Sequence, residues 1–129
     1  MVSESIVYKG FRVDVNLSGD LYCMAFGESG IGKSYGCSIV LKALESVGYM
    51  TLMVDHNNYN ARKALLSKAK YDIIVVDEIE QFDNFDFDEF IHAAKTVIYI
   101  NRAYDGRYDP ICKIAVGKRS ISITEVKKW

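Results

Sequence analysis

Apolar residues along this chain fall into short runs and helix-spaced stripes, and the changes between them mark out its elements. Residues 6–15 read as one or two short strands turning at Lys9-Gly10, and residues 17–20, LSGD, form a turn into an apolar strand over 21–26, LYCMAF. After a glycine-rich stretch, Cys37, Val40, Leu41, Leu44 and Val47 make a helical stripe over residues 33–47, and Gly48 stands where a helix C-cap belongs. Residues 50–54 are a short apolar run ending in Asp55. Asn60 is placed to cap a helix over 61–70 with Ala61, Leu65 and Ala69 inward. The β-branched run IIVV at 73–76 suits a strand buried on both faces, and it ends in Asp77-Glu78. A helix over 87–95 and a strand over 96–100 follow. The segments 111–116 and 121–126 are separated only by GKRS, too short for a helix, so they read as an antiparallel hairpin on the sheet edge. Thr124, Lys127 and Lys128 would discourage that edge from pairing with another chain.

Strands alternating with helices imply right-handed crossovers and a parallel sheet covered on both faces, with ligands at the carboxyl ends of the strands. The 129 residues are long enough for one core and short for a second module, so a single domain over 1–129 is expected. A net charge of −1 gives no whole-protein attraction to nucleic acid or membrane. Cys23, Cys37 and Cys112 have no metal-ligand spacing and are odd in number, which reads as reduced, mostly buried thiols of a cytoplasmic protein. No window approaches the roughly 18 apolar residues of a membrane span, and the first residues, MVSESI, lack the basic flank and apolar stretch of a secretion signal.

The glycine-rich stretch carries chemistry. Residues 27–34, GESGIGKS, match the pattern G-x-x-x-x-G-K-[ST] between a predicted strand and a predicted helix. Gly27, Gly30 and Gly32 allow successive backbone N–H groups to turn inward around phosphate oxygens. Lys33 would place a charge on the β- and γ-phosphates, Ser34 a hydroxyl on Mg²⁺, and the following helix its positive end. The nucleotide contacts are therefore assigned along the loop from Gly27 through Glu28, Ser29, Gly30, Ile31, Gly32, Lys33 and Ser34 to Tyr35.

A magnesium nucleotide also needs a carboxylate near the metal, and its hydrolysis a group that orients or deprotonates water. Four apolar residues followed by Asp77-Glu78 resemble the Walker B motif, which implies Asp77 at Mg²⁺ and Glu78 positioning the attacking water. With Asn101 at the end of the next strand, residues 21–102 resemble the additional-strand, catalytic-glutamate division of the phosphate-loop NTPases, to which AAA+ and ABC-type ATPases belong. The resemblance implies a three-layer P-loop NTPase core with a mostly parallel sheet, the 96–100 strand lying between the two motif strands, and Asn101 sensing the γ-phosphate. It also implies Mg²⁺-ATP as the ligand; with no arginine finger evident in cis, slow hydrolysis and a protein partner or a second copy of the chain as activator are expected.

The departures narrow this further. No LSGGQ-like signature separates the motifs, as an ABC ATPase would need, and no helical lid follows Asn101, as an AAA+ motor would need. Guanine-nucleotide switches would place glycine at position 80 and Asp at 104, where Glu80 and Tyr104 stand, so ATP is favoured. Tyr59, Tyr104 and Tyr108 are candidate base-stacking residues, each with packing as the simpler reading. Asp55 is the candidate phosphoryl-acceptor ligand of an alternative reading as a small-molecule or polynucleotide kinase, although only Arg102 and Arg107 are available for a lid. A non-hydrolysing nucleotide-binding regulatory module is the other alternative. The acidic stretch 83–89, DNFDFDE, lacks the glycine and distal glutamate of a calcium loop and reads as a helix entry anchored by Phe82, Phe85, Phe87 and Phe90. Arg62, Lys63, Lys68 and Lys70 read as a solvated helix face before a nucleic-acid surface. His56 and His92 have no Cys or His partner at zinc-ligand spacing.

Overall fold

A computed structural model describes residues 1–25, 33–68, 70–100 and 111–126. The N-terminal segment forms a hairpin of β1 (Val2–Tyr8) and β2 (Phe11–Leu17). Its two-residue turn has left-handed backbone at both Lys9 (φ 47°) and Gly10 (φ 84°), the geometry whose twist matches paired strands. Next come β3 (Leu21–Ala25), α1 (Lys33–Ser46) and β4 (Thr51–Val54). Gly48 at φ 103° closes α1: its N–H donates to Glu45 O and that of Tyr49 to Leu44 O, both at 3.1 Å, which satisfies the last free carbonyls of the helix. Val47, expected on the buried stripe, is exposed because it lies beyond the last helical turn.

The expected helix over 61–70 forms differently. A single turn, α2 (Tyr59–Arg62), passes into a 3₁₀ segment, Lys63–Ser67, and Asn58 precedes the helix in place of Asn60. Tightening to 3₁₀ rotates the face: Leu66 is buried, whereas Ala61 and Leu65 are exposed. Ala69 lies outside the described residues. The chain continues through β5 (Tyr71–Val76), a 3₁₀ turn Ile79–Gln81, α3 (Phe87–Ala93), β6 (Ala94–Ile100), β7 (Ile111–Val116) and β8 (Ser120–Val126).

These strands form one sheet in the order β1-β2-β8-β7-β3-β6-β5-β4. The block β7, β3, β6, β5 and β4 is parallel, whereas β1 with β2 and β7 with β8 are antiparallel. This corrects the expected architecture. In place of a three-layer P-loop NTPase core with a mostly parallel sheet and an edge hairpin, the domain is a small mixed α/β unit whose eight strands curl into a half-barrel. The C-terminal hairpin is interior: β8 pairs in parallel with β2, and β7 with β3.

Burial explains the curl. On β2 and β8, Val13, Val15, Leu17, Ile121 and Ile123 point inward and alternate with exposed or half-buried polar residues, so this end of the sheet is covered on one face only. That face wraps α1, and Cys37, Val40, Leu41, Ala43 and Leu44 of the helix share a core with Met24, Ile98, Cys112 and Ile114. The continuous apolar runs of β5 and β6 are covered on their second face as well. There Leu66, Ile79, Phe90 and Ala93 pack over Ile74, Val76, Val97 and Tyr99.

The predicted aromatic anchor lies in this second core. Phe85 stacks on Phe90 with centroids 5.3 Å apart, Phe82 and Phe87 meet Phe85 edge-on, and Phe87 meets Tyr99. Asp86 caps α3 by accepting from the Asp88 N–H at 3.0 Å, with Asp88 and Glu89 in the first helical turn. All three cysteines are buried thiols outside any disulfide, and burial pushes the Cys37 thiol up to about 12.

Candidate functional site at the carboxyl ends of the central strands

Because β3, β6, β5 and β4 run parallel, their carboxyl ends lie along one margin of the sheet. The register pairs Val54 with Val76 and Val76 with Tyr99, so the carboxyl ends of β4, β5 and β6 lie side by side. β6 separates β3 from β5.

Lys33 and Ser34 begin α1, and Asp77 and Glu78 follow β5 directly. The Ser34 hydroxyl donates to Asp77 Oδ2, joining two motifs that lie 43 positions apart in the chain. Asp77 is buried, and its other oxygen, Oδ1, accepts from the Glu78 N–H at 2.8 Å. A buried polar group needs such hydrogen-bond partners in place of water. Burial lowers the Lys33 ammonium below its ordinary value, and the negative charge of Asp77 acts against that shift. A lysine, a hydroxyl and a carboxylate are thereby gathered at the start of α1.

Glu78 has left-handed backbone angles, φ 56° and ψ 42°, which are uncommon for a residue with a side chain. Its carboxylate Oε1 lies 3.7 Å from His56 Nδ1, on the segment after β4. Sequence reasoning dismissed His56 for want of a zinc partner. Its position one residue beyond the strand-ending Asp55 was the available signal, since neighbouring parallel strands bring such residues together.

Asp55 follows β4 directly, at the strand end where the kinase alternative places its acceptor ligand. Its Oδ1 accepts from the N–H groups of Asn57 and Asn58, both at 2.9 Å, and its own N–H donates to Asn58 Oδ1 at 2.9 Å. The carboxylate is engaged in closing a turn. Tyr59 packs edge-on against Phe82 and donates to Glu89 at 2.7 Å, which is packing and not an open stacking face. Arg62 donates to the Met53 carbonyl. Tyr35 is exposed beside Ser34.

Gly27, Glu28, Ser29, Gly30, Ile31 and Gly32 of the assigned nucleotide loop lie outside the described residues, as do Asn101, Arg102, Tyr104, Arg107 and Tyr108. Among the described residues, no group of three or more His, Cys, Asp or Glu side chains is gathered for a metal. The Ser34 hydroxyl and the Asp77 carboxylate are hard oxygen donors, the kind that suit Mg²⁺ when phosphate and water complete its shell. No described helix is long and apolar enough to cross a membrane. No family model, curated protein or solved structure matches the chain.

Proposed function

We propose that the chain binds Mg²⁺-ATP at this margin and hydrolyses it slowly alone, acting as a switch or partner-driven ATPase of the additional-strand, catalytic-glutamate kind. The observation that carries the reading is the hydrogen bond from Ser34 to Asp77. Two short motifs with separate roles in handling a magnesium nucleotide meet at the strand ends. The placement of β6 between β3 and β5 supports the same reading.

In this proposal the loop from Gly27 to Ser34 holds the phosphates through its N–H groups, and Lys33 neutralises charge on the β- and γ-phosphates. Ser34 and Asp77 would hold Mg²⁺, which supplies charge neutralisation at the phosphates when bound. Glu78 orients or deprotonates the attacking water, and Asn101 senses the γ-phosphate. The sequence offers no evident arginine finger in cis, a deficit of roughly 10³ to 10⁵ in rate for related chemistry. A protein partner or a second copy of the chain would provide it. The reduced, buried cysteines support a cytoplasmic setting. The two backbone N–H bonds taken by Asp55 Oδ1 within its own turn favour the hydrolytic reading over the kinase alternative.

The metal assignment is tested by Asp77→Asn, which retains an acceptor for the Ser34 hydroxyl while removing the charge. Chelating Mg²⁺ is expected to weaken ATP binding by the wild type about tenfold or more, about 1.4 kcal/mol, and to leave binding by Asp77→Asn unchanged. Equal Mg²⁺ dependence in the two proteins would remove Asp77 from the metal site.

A further inference from the structure

We propose that His56 is a positioning residue for Glu78, its imidazole holding one carboxylate oxygen so that the other faces water. The inference rests on the hydrolytic reading above and adds to it a residue from the β4 end of the margin.

Distance and burial point the same way. His56 Nδ1 lies 3.7 Å from Glu78 Oε1, just beyond hydrogen-bond reach, and that nitrogen is buried with no hydrogen-bond partner among the described residues. A buried polar nitrogen left unpaired is costly, so closure of the short gap to the carboxylate is favoured. The backbone that carries the ring is fixed. Asp55 closes the turn around it through three hydrogen bonds of 2.9 Å, one with Asn57 and two with Asn58, so His56 lies within a stapled turn. The backbone of Glu78 is held as well: Asp77 Oδ1 takes its N–H, and its angles lie in the left-handed region.

The chemistry suits the geometry. An imidazole with its proton on Nδ1 donates to a carboxylate, and so does the protonated ring. A lone carboxylate rotates among orientations, whereas one anchored through a single oxygen presents the other in a constant direction. Orientation of this kind acts on the chemical step and leaves nucleotide affinity untouched.

The test compares wild type with His56→Phe, which keeps a ring but has no donor, and with His56→Asn, whose amide nitrogen falls near the place of Nδ1. The measurements are ATP turnover, Mg²⁺-ATP affinity and the side-chain carboxyl carbon resonance of Glu78, identified by its loss in Glu78→Gln. His56→Phe is expected to lower kcat about 10- to 100-fold with unchanged affinity, and to move the Glu78 resonance. His56→Asn is expected to recover most of kcat and to return the resonance toward its wild-type position. Wild-type turnover and resonance in His56→Phe overturn the proposal. If the wild-type protein binds no ATP or does not turn it over, the reading of the site fails separately, and the Glu78 resonance alone decides the contact. A resonance unmoved by His56→Phe overturns the inference; one moved by Phe and restored by Asn sustains the contact.

Discussion

Glu78→Gln is expected to bind Mg²⁺-ATP within about twofold of wild type while losing roughly 10² to 10⁴ in turnover, the usual range for a positioned general base. The substitution keeps the length of the side chain and an oxygen that can accept from His56. It removes the negative charge and the capacity to take a proton from water. Asp77, Ser34 and Lys33 keep their contacts, because Glu78 meets Asp77 through its backbone N–H and not through its side chain. Unchanged turnover would remove Glu78 from the chemistry and favour a nucleotide-binding regulatory module. Lost binding would instead assign Glu78 to holding the nucleotide.

Phe90→Ala is expected to cost the fold about 3–5 kcal/mol, the range for removing a fully buried phenylalanine. Phe90 is 1% exposed and is where α3 enters the second core. Its ring stacks on Phe85 at 5.3 Å and lies 6.1 Å from that of Tyr59, so truncation removes one ring contact from each. The cost should appear as a lower urea midpoint with an unchanged slope. A shift worth less than about 1 kcal/mol would mean that the aromatic cluster collapses around the gap and does not anchor α3.

Local structure was legible in this chain where one residue type forces one geometry. Lys9-Gly10 announced the hairpin turn, Gly48 the end of α1, and the IIVV run the doubly covered β5. The arrangement of the strands was less so. The sequence of β7 and β8 gives a hairpin but does not say which neighbours it takes. Its insertion between β2 and β3 depends on contacts such as Val13 with Ile121, more than a hundred positions apart. The one-sided burial of β2 and β8 would have signalled a sheet end open to solvent, and hence a departure from three layers. The 61–70 segment misled because its apolar residues permit either helical pitch, and packing of Leu66 selects the tighter one. At the candidate site, Lys33, Ser34, Asp77 and Glu78 were legible as motifs. His56 was not, because its relation to Glu78 exists only through the pairing of β4 with β5.

The central claim is that the margin at Lys33, Ser34 and Asp77 holds a magnesium nucleotide. Its most direct test is an equilibrium titration of ATP, ADP and GTP with Mg²⁺ against wild type and Lys33→Ala. Saturable ATP binding by the wild type at or below millimolar concentration is expected, tighter than for ADP or GTP. Lys33→Ala should weaken it by about 10- to 150-fold, the loss of one charge-assisted contact worth about 1.5–3 kcal/mol. Absence of binding by the wild type to any of the three at millimolar concentration, or equal binding by Lys33→Ala, would contradict the account.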